Sequence, residues 1–555
     1  MSRSPLPATP AATVACPPRR HRGGLRRLCG ILAAQLAVVH ALAGAAQPAP
    51  APAPTAAPLA PASVDAPVDA RLLVPRLYAA GPVSSWLEHD AARARAAVRL
   101  LRDAPRHGLD PARYDAEGLA RRVEQGASGA GAEALERDLA TAMLQYLTDL
   151  HVGRVASGYR APAGSAPFDP VERLRGALAA NRLDEAVDAA RPALPMVGRV
   201  EAMLARYRDL TRTHAQWPAL PPVPARRLEP GAAYAGAAAL RERLRVLGDL
   251  DATVPAGSGD VLAPDLVAGL RRFQTRHSLA PDGTLGPTTL AALAVPPARR
   301  VTQLELTLER LRWLPQPPDG RLVVVDVPAY RLWAFDGRDT ADPLLEMRVI
   351  VGAAGRTPTP LFIGQMRHIE FNPYWNVPRS IATAEILPKL ARDPGYLARN
   401  DMELVGASGQ VLDDAGANAV AALRAGTARV RQRPGAQNAL GAVKFSMPNP
   451  MNIYLHSTSA QSLFGRTRRD LSHGCIRVEF PAALAQFVLA DPQRWDAPAV
   501  AAALRPGRTQ VVPLPQPVPV VLFYATALVD REGRPLFTDD IYGLDQKLQQ
   551  ALGGE

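Results

Sequence analysis

A multidomain α+β fold is what this sequence predicts: an α-helical scaffold region, a small three-helix module, then a β-rich domain with a helical lid insertion. Three observations carry that expectation. The chain has 555 residues, enough for about three or four domains at roughly 150 residues each. Apolar residues recur at helical spacing through residues 70–295 and switch to short β-branched or alternating runs from residue 321. Proline clusters separate the blocks. With 47% hydrophobic and 21% charged residues, the composition excludes a wholly disordered or collagen-like chain.

Residues 1–46 read as a signal peptide or N-terminal anchor. Arg3, Arg19, Arg20, Arg22, Arg26 and Arg27 precede an apolar run from Leu28 to Ala46 that ends in small residues. Positive start, apolar core and small-residue end are the parts of a secretory signal. Gln35 and His40 inside the run favour cleavage over retention as a span. Residues 47–69 are a Pro/Ala-rich linker with prolines at 48, 50, 52, 54, 58, 61 and 67, an extended and semi-rigid spacer.

Residues 70–225 form the helical scaffold. Leu135, Leu139, Met143, Tyr146, Leu147 and Leu150 recur at three and four. Asp110 reads as an N-cap with Pro111 at the first helical position. Pro218, Pro221, Pro222 and Pro224 mark the boundary. Residues 232–296 form the small module. Leu240, Leu244 and Leu247 line one helix ending at Gly248, and a second helix runs from about Pro264 through Phe273 to His277. An Asp282-Gly283 turn, Gly286 and a short helix near Thr288 follow. The pattern Leu240/Leu244/Leu247-Gly248, Phe273-Gln274, Asp282-Gly283, Gly286 and Thr289 resembles the small three-helix peptidoglycan-binding module.

Residues 320–512 are β-rich. Strands are expected in Leu322–Val327, Tyr330–Phe335, Met347–Val351, Ile363–Phe371 and Asn452–His456. A helical and turn-rich insertion, about 380–430, interrupts them as a lid or a structural excursion. Residues 513–555 extend the scaffold or the β-rich unit.

The net charge is +12, but six arginines and no acid lie before Gln47, leaving +6 for the remainder. Only Lys389, Lys444 and Lys547 are lysines among 64 basic residues, a skew that looks like genome base composition. No arginine-rich stretch is interleaved with aromatics as single-strand binding requires, and an exported chain does not meet cytoplasmic nucleic acid. A modest positive charge suits an anionic envelope polymer.

Of three cysteines, Cys16 and Cys29 belong to the leader, so its removal leaves Cys475 alone. An unpaired thiol in an exported protein is a candidate nucleophile, the alternatives being an inert core residue or an intermolecular disulfide. Its surroundings, Leu471-Ser-His-Gly-Cys-Ile-Arg-Val478, favour the nucleophile. His456 lies nineteen residues upstream at a strand end and could take the thiol proton. Gly474 lets backbone N–H groups approach an oxyanion. Arg477, Arg466, Arg468 and Arg469 are expected to make the neighbourhood electropositive and lower the thiol pKa.

Ser472-His-Gly-Cys-Ile-Arg477, with a strand-borne histidine about twenty residues before it, resembles the signature of L,D-transpeptidases with the YkuD-type catalytic domain. Arg433-Pro-Gly435, Asn438–Phe445, Met447-Pro-Asn449, Phe371–Arg379 and the tail Phe523-Tyr-Ala-Thr with Asp539–Gly543 fit its large periplasmic subtype. The resemblance implies Cys475 as acyl-forming nucleophile and His456 as general base, its ring fixed by the Ser457 backbone carbonyl. It puts His473 and Gly474 at the oxyanion site with the Cys475 amide. It puts Arg477, Trp375, Tyr454 and Asn449 at the substrate. One departure stands out: an acid is expected directly after the strand histidine, where this chain has Ser457. The orienting group is a backbone carbonyl, so activity should survive.

The implied reaction joins peptidoglycan stem peptides, donor and acceptor, by 3→3 cross-links through a thioester, in the periplasm, with no metal or cofactor. Partners in cell-wall synthesis fit this setting. The same cysteine could instead serve a carboxypeptidase or attach proteins to the wall. A zinc peptidase lacks a ligand motif such as His-Glu-x-x-His, and a non-catalytic wall-binding scaffold would need only residues 70–295.

Overall fold

The computed structural model describes residues 69–553 except 80–82, 158, 160–167, 224–225, 252–258, 338–339, 341 and 413–416. The leader read in residues 1–46, with Cys16 and Cys29, and all of the linker but Asp69 lie outside the described residues. Among the described residues no helix is long and apolar enough to cross a membrane.

The scaffold is helical as its periodicity predicts. Helix Ala130–Val152 buries Leu135, Leu139, Met143, Tyr146, Leu147 and Leu150. These six sit in a core that the scaffold keeps to itself, together with Trp86, Leu101 and Leu174. Asp110 caps a short helical turn over Pro111–Tyr114 by accepting the Ala112 N–H at 2.9 Å.

The three-helix module has helices Ala237–Leu247, Pro264–Arg276 and Pro287–Ala294. The first stops at Gly248, whose φ of +85° is a left-handed cap. Gln274 organises the turn by donating to the Asp282 carboxylate, the Thr284 carbonyl and Thr289, and by accepting the Gly283 N–H. The module does not stand apart. Its Leu240, Leu244, Leu270 and Phe273 share one core with Val200 and Leu204 of the scaffold, with Leu304 and Leu308, and with Val521 and Phe523 of the β domain. Helix Pro297–Leu311 carries Leu304 and Leu308 and joins these parts. Its Arg310 forms a buried ion pair with Asp545 near the chain's end.

The β domain is built on a nine-stranded sheet. Its first strands are β1 (Arg321–Asp326), β2 (Arg331–Asp336), β3 (Leu345–Gly352) and β4 (Ile363–Phe371). The insertion supplies β5 (Trp375–Asn376), β6 (Met402–Gly406), β7 (Val411–Leu412) and β8 (Ala428–Gln432). The main sheet resumes with β9 (Val443–Ser446), β10 (Leu455–His456), β11 (Asp470–Ser472), β12 (Ile476–Val478) and β13 (Gln510–Phe523). A hairpin of β14 (Ala527–Val529) and β15 (Pro535–Phe537) follows. The spatial order is β11-β3-β12-β10-β9-β4-β13-β1-β2, and β2 also pairs with β3, which closes the sheet.

Both faces of this sheet are covered. Along β13, Val518, Val520 and Leu522 point into the β domain's own core with Val323, Phe445 and Leu455. The alternate residues Val521 and Phe523 point into the core shared with the scaffold and the module. β13 continues across residue 513, so the expected boundary between 512 and 513 falls inside a strand and residues 513–523 of the tail belong to the main sheet.

The insertion is more than helices. It contains a separate sheet of order β5-β8-β6-β7 around its own apolar cluster of Val377, Ile386, Leu390, Leu404 and Val430. One π-helical turn, Ala382–Ile386, precedes the helix Leu387–Arg392. Pro388 explains it, because a proline has no N–H for the carbonyl four residues back and its ring crowds that carbonyl.

Candidate active site

β10 and β12 run parallel, with Leu455 beside Ile476 and His456 beside Arg477. Leu455, Ile476 and Val478 are fully buried in the β-domain core. Strand alternation therefore sends Tyr454, His456 and Arg477 to the opposite face, with Cys475 at the entry to β12. Residues that the sequence separates by nineteen positions are brought to neighbouring strands because β10 and β12 pair.

The His456 ring is buried, and its Nδ1 lies 2.6 Å from the Ser457 carbonyl oxygen. Nδ1 carries the proton in that bond, leaving Nε2 with its lone pair. Burial, with Arg477 alongside, holds the imidazole down to about 3. The ring is a neutral base throughout the physiological range. Ser457 is also anchored by its side chain, which donates to the Leu440 carbonyl at 3.0 Å and accepts the Val443 N–H at 3.0 Å. A carboxylate cannot donate to Leu440, which gives a local reason for serine where an acid was expected.

Cys475 is the free cysteine of the described residues and is half-buried. Its Sγ lies 3.6 Å from the Asn452 carbonyl oxygen. Burial pushes the thiol up, while Tyr454, Lys444 and Arg477 pull the other way without overcoming it. The resting pair is thus thiol and neutral imidazole. This corrects the expectation of a pKa lowered by surrounding arginines. Arg468 is spent on Asp470, at 2.7 and 3.1 Å. Arg469 donates to the carbonyls of Val349, Arg466 and Tyr330.

The turn around the thiol is tightly tied. Ser472 Oγ donates to the Cys475 carbonyl at 2.6 Å and accepts the Gly474 N–H at 3.2 Å. The Ile476 N–H goes to the Tyr454 carbonyl at 3.1 Å. From Gly474 to Ile476, the Cys475 N–H is the donor left without an acceptor among the described residues. Gly474 has φ +113°, a conformation that favours glycine.

Residues 320–513 match a family described as the L,D-transpeptidase catalytic domain, YkuD. Residues 73–204 match a scaffold domain, and residues 235–293 match a "Putative peptidoglycan binding domain". A Haemophilus influenzae protein named "Putative L,D-transpeptidase" is 34% identical over 280 residues, which cover 50% of this chain and 55% of that relative. Residues 320–513 are an L,D-transpeptidase catalytic domain. The chain spans about half the length of the curated relative it matches. Among solved structures, an L,D-transpeptidase from Xylanimonas cellulosilytica aligns at 16% identity and TM-score 0.16, over 55% of this chain and 100% of that one. One from Stackebrandtia nassauensis aligns at 14% and TM-score 0.22, over 54% and 97%. Superpositions this loose place no residue.

Around the thiol of this L,D-transpeptidase domain, the aromatic candidates gather. Tyr454 lies against Cys475 and against Trp375 of β5. Lys444 sits over the Tyr454 ring at 5.0 Å and pairs with Glu370 at 2.8 Å. Arg477 keeps its buried Nε without a partner among the described residues. One expected placement needs correction. Asn449 is occupied with its own turn: its amide donates to the Met447 and Ile453 carbonyls and accepts the Met451 and Ile453 N–H groups. It has no capacity left for a substrate. Gly474 contributes its conformation, since its N–H is already taken by Ser472. His473 points to the insertion, its Nε2 at 2.5 Å from Glu385 Oε1.

Sequence reasoning missed Thr359, Gly352 and Tyr542, which brace the cysteine turn from behind. The Thr359 hydroxyl accepts the Gly352 N–H and donates to the Gly474 carbonyl, each at 2.8 Å. The available signal was Gly352 closing a β-branched strand just before Thr357-Pro-Thr359.

Proposed function

We propose that this chain is a peptidoglycan L,D-transpeptidase that forms 3→3 cross-links through a Cys475 acyl-enzyme. The observation that carries this reading is the pairing of β10 with β12, which sets a neutral, carbonyl-anchored His456 and the half-buried Cys475 on neighbouring strands. In the proposed reaction, His456 Nε2 takes the thiol proton as Sγ attacks the carbonyl carbon of the donor's third residue. The oxyanion forms at the Cys475 N–H. The bond to the terminal D-alanine breaks, and His456 returns the proton to the departing amine. A thioester remains on Cys475. The side-chain amine of a second stem's third residue then attacks it, loses a proton through His456, and restores the thiol.

Arg477 Nε, buried without an acceptor among the described residues, suits a substrate carboxylate. The peptidoglycan-binding match at 235–293 supports the same polymer as substrate. Action outside the cytoplasm, in the periplasm, follows from this substrate together with the leader read in residues 1–46. The test is mass analysis after incubation with a disaccharide tetrapeptide, with Cys475→Ala as control. A 3→3 dimer that needs Cys475 supports the reading. A tripeptide alone would make it a carboxypeptidase, and an active Cys475→Ala protein would overturn the mechanism.

A further inference from the structure

Gly474 and Cys475 share one peptide unit. In a trans peptide the C=O and N–H point in opposite directions, so fixing one fixes the other. The Gly474 carbonyl therefore decides where the unclaimed Cys475 N–H points. Glycine makes that choice insecure, because its φ and ψ are the least restricted of any residue. Something outside the turn has to hold the peptide plane.

Thr359 does so from the rear. It is 2% exposed. Its Oγ1 receives the Gly352 N–H at 2.8 Å, which occupies a lone pair and directs the hydroxyl proton to the Gly474 oxygen, also at 2.8 Å. A β-branched side chain has few χ1 choices, so the hydroxyl is preset. The Thr359 backbone is fixed in turn. Its N–H donates to the Tyr542 hydroxyl at 3.1 Å, and that hydroxyl donates to the Gly352 carbonyl at 2.6 Å. Gly352 is needed for this approach. A Cβ there would lie 2.6 Å from the Thr359 nitrogen and 2.9 Å from the Pro358 carbonyl carbon.

We propose that Thr359 is a positioning residue for the oxyanion site: by holding the Gly474 carbonyl it aims the Cys475 N–H at the developing charge. This rests on Cys475 being an acyl-forming nucleophile. It does not depend on the substrate being a stem peptide.

The experiment compares two reactions of Cys475 in the full chain. Acylation by p-nitrophenyl acetate passes through a tetrahedral oxyanion. Alkylation by iodoacetamide is a displacement at carbon and forms none. Their rate ratio reads the oxyanion site, and the alkylation rate alone reads nucleophile and fold. Thr359→Val should lower the ratio roughly 10- to 100-fold, less than the about 100- to 1,000-fold of deleting a donor outright. Thr359→Ser, which keeps the hydroxyl, should restore most of it. Tyr542→Phe supplies a milder variant should the valine protein fail to fold, with an expected loss of about 3- to 10-fold. A Val or Phe ratio within twofold of wild type, or a Ser variant as poor as Val, overturns the proposal. D-alanine release from the disaccharide tetrapeptide is measured in parallel. A wild type that acylates yet releases no D-alanine sinks the transpeptidase reading and leaves the Thr359 result standing.

Discussion

The Nδ1 of His456 is bound to the Ser457 carbonyl oxygen at 2.6 Å, one residue along the same chain. This short tether settles the tautomer and leaves Nε2 as the ring's available base. Because burial holds the imidazole down to about 3, it does not protonate between pH 7 and 5. Donor turnover should change by less than about threefold over that range, where an ordinary histidine would lose its basic form. A kcat/KM profile checks this. An acid limb near 6.5 would contradict it.

The same shift has a stability consequence. An unfolded histidine binds its proton near 6.5, and the folded one near 3. The unfolded state therefore holds more protons below 6.5, and stability falls as pH drops from about 6.5 toward 3. His456→Gln should flatten that part of the curve. Denaturant melts at pH 7 and pH 4 on both proteins make the comparison. An equal loss in the two would remove His456 as its source.

Cys475→Ala should lower D-alanine release by at least about 1,000-fold while the melting temperature stays close to wild type. The thiol's contact to the Asn452 carbonyl, at 3.6 Å, is long and contributes little to stability. Residual turnover near wild type would assign the chemistry elsewhere.

Gly474→Ala separates room from conformation. The added Cβ would have an ordinary neighbour in Ile453 at 3.4 Å, but φ is +113°. The strain is about 1–3 kcal/mol, and relieving it changes the backbone torsions of the residue that flanks the peptide carrying the Cys475 N–H. Turnover should fall more than stability does. Parallel thermal melts and initial rates report both.

Asp545→Ala should cost about 3–5 kcal/mol, because it leaves the Arg310 guanidinium buried and unpaired. Asp545 also accepts the Thr526 hydroxyl. The loss should appear as a lower denaturation midpoint for the β domain and helix Pro297–Leu311 together, since Arg310 lies on that helix. Unchanged unfolding would mean the pair is not buried in solution.

How much of this was legible in the sequence depended on how local the signal was. Helices of the scaffold and module announce themselves through leucines at three and four. His456 and Cys475 could be singled out because a lone thiol sits beside glycine and histidine. β13 was hidden by Pro513, Pro515, Pro517 and Pro519, which argue against a central strand. The structure resolves the conflict by a register break between Pro513 and Val518 in the pairing with β4. Asn449 misled because a polar residue near a nucleophile looks available until its four turn bonds are seen. Thr359 and Tyr542 lie more than 60 residues from Cys475 on either side, and only the closed sheet brings them to its back.

The position of β13 has a further consequence for how the molecule comes into being. This strand is the last of the nine in sequence, yet it lies between β4 and β1. Until residues 510–523 have been made and docked, β4 and β1 each present an unpaired edge, and the sheet cannot close. Assembly must wait for contacts spanning nearly 200 residues of chain, from Val323 of β1 to its partner Val520 of β13, the kind of pairing that slows folding and exposes edges to aggregation. The barrel is therefore completed from its tail, and a chain interrupted before that strand has neither a sealed sheet nor a braced cysteine turn.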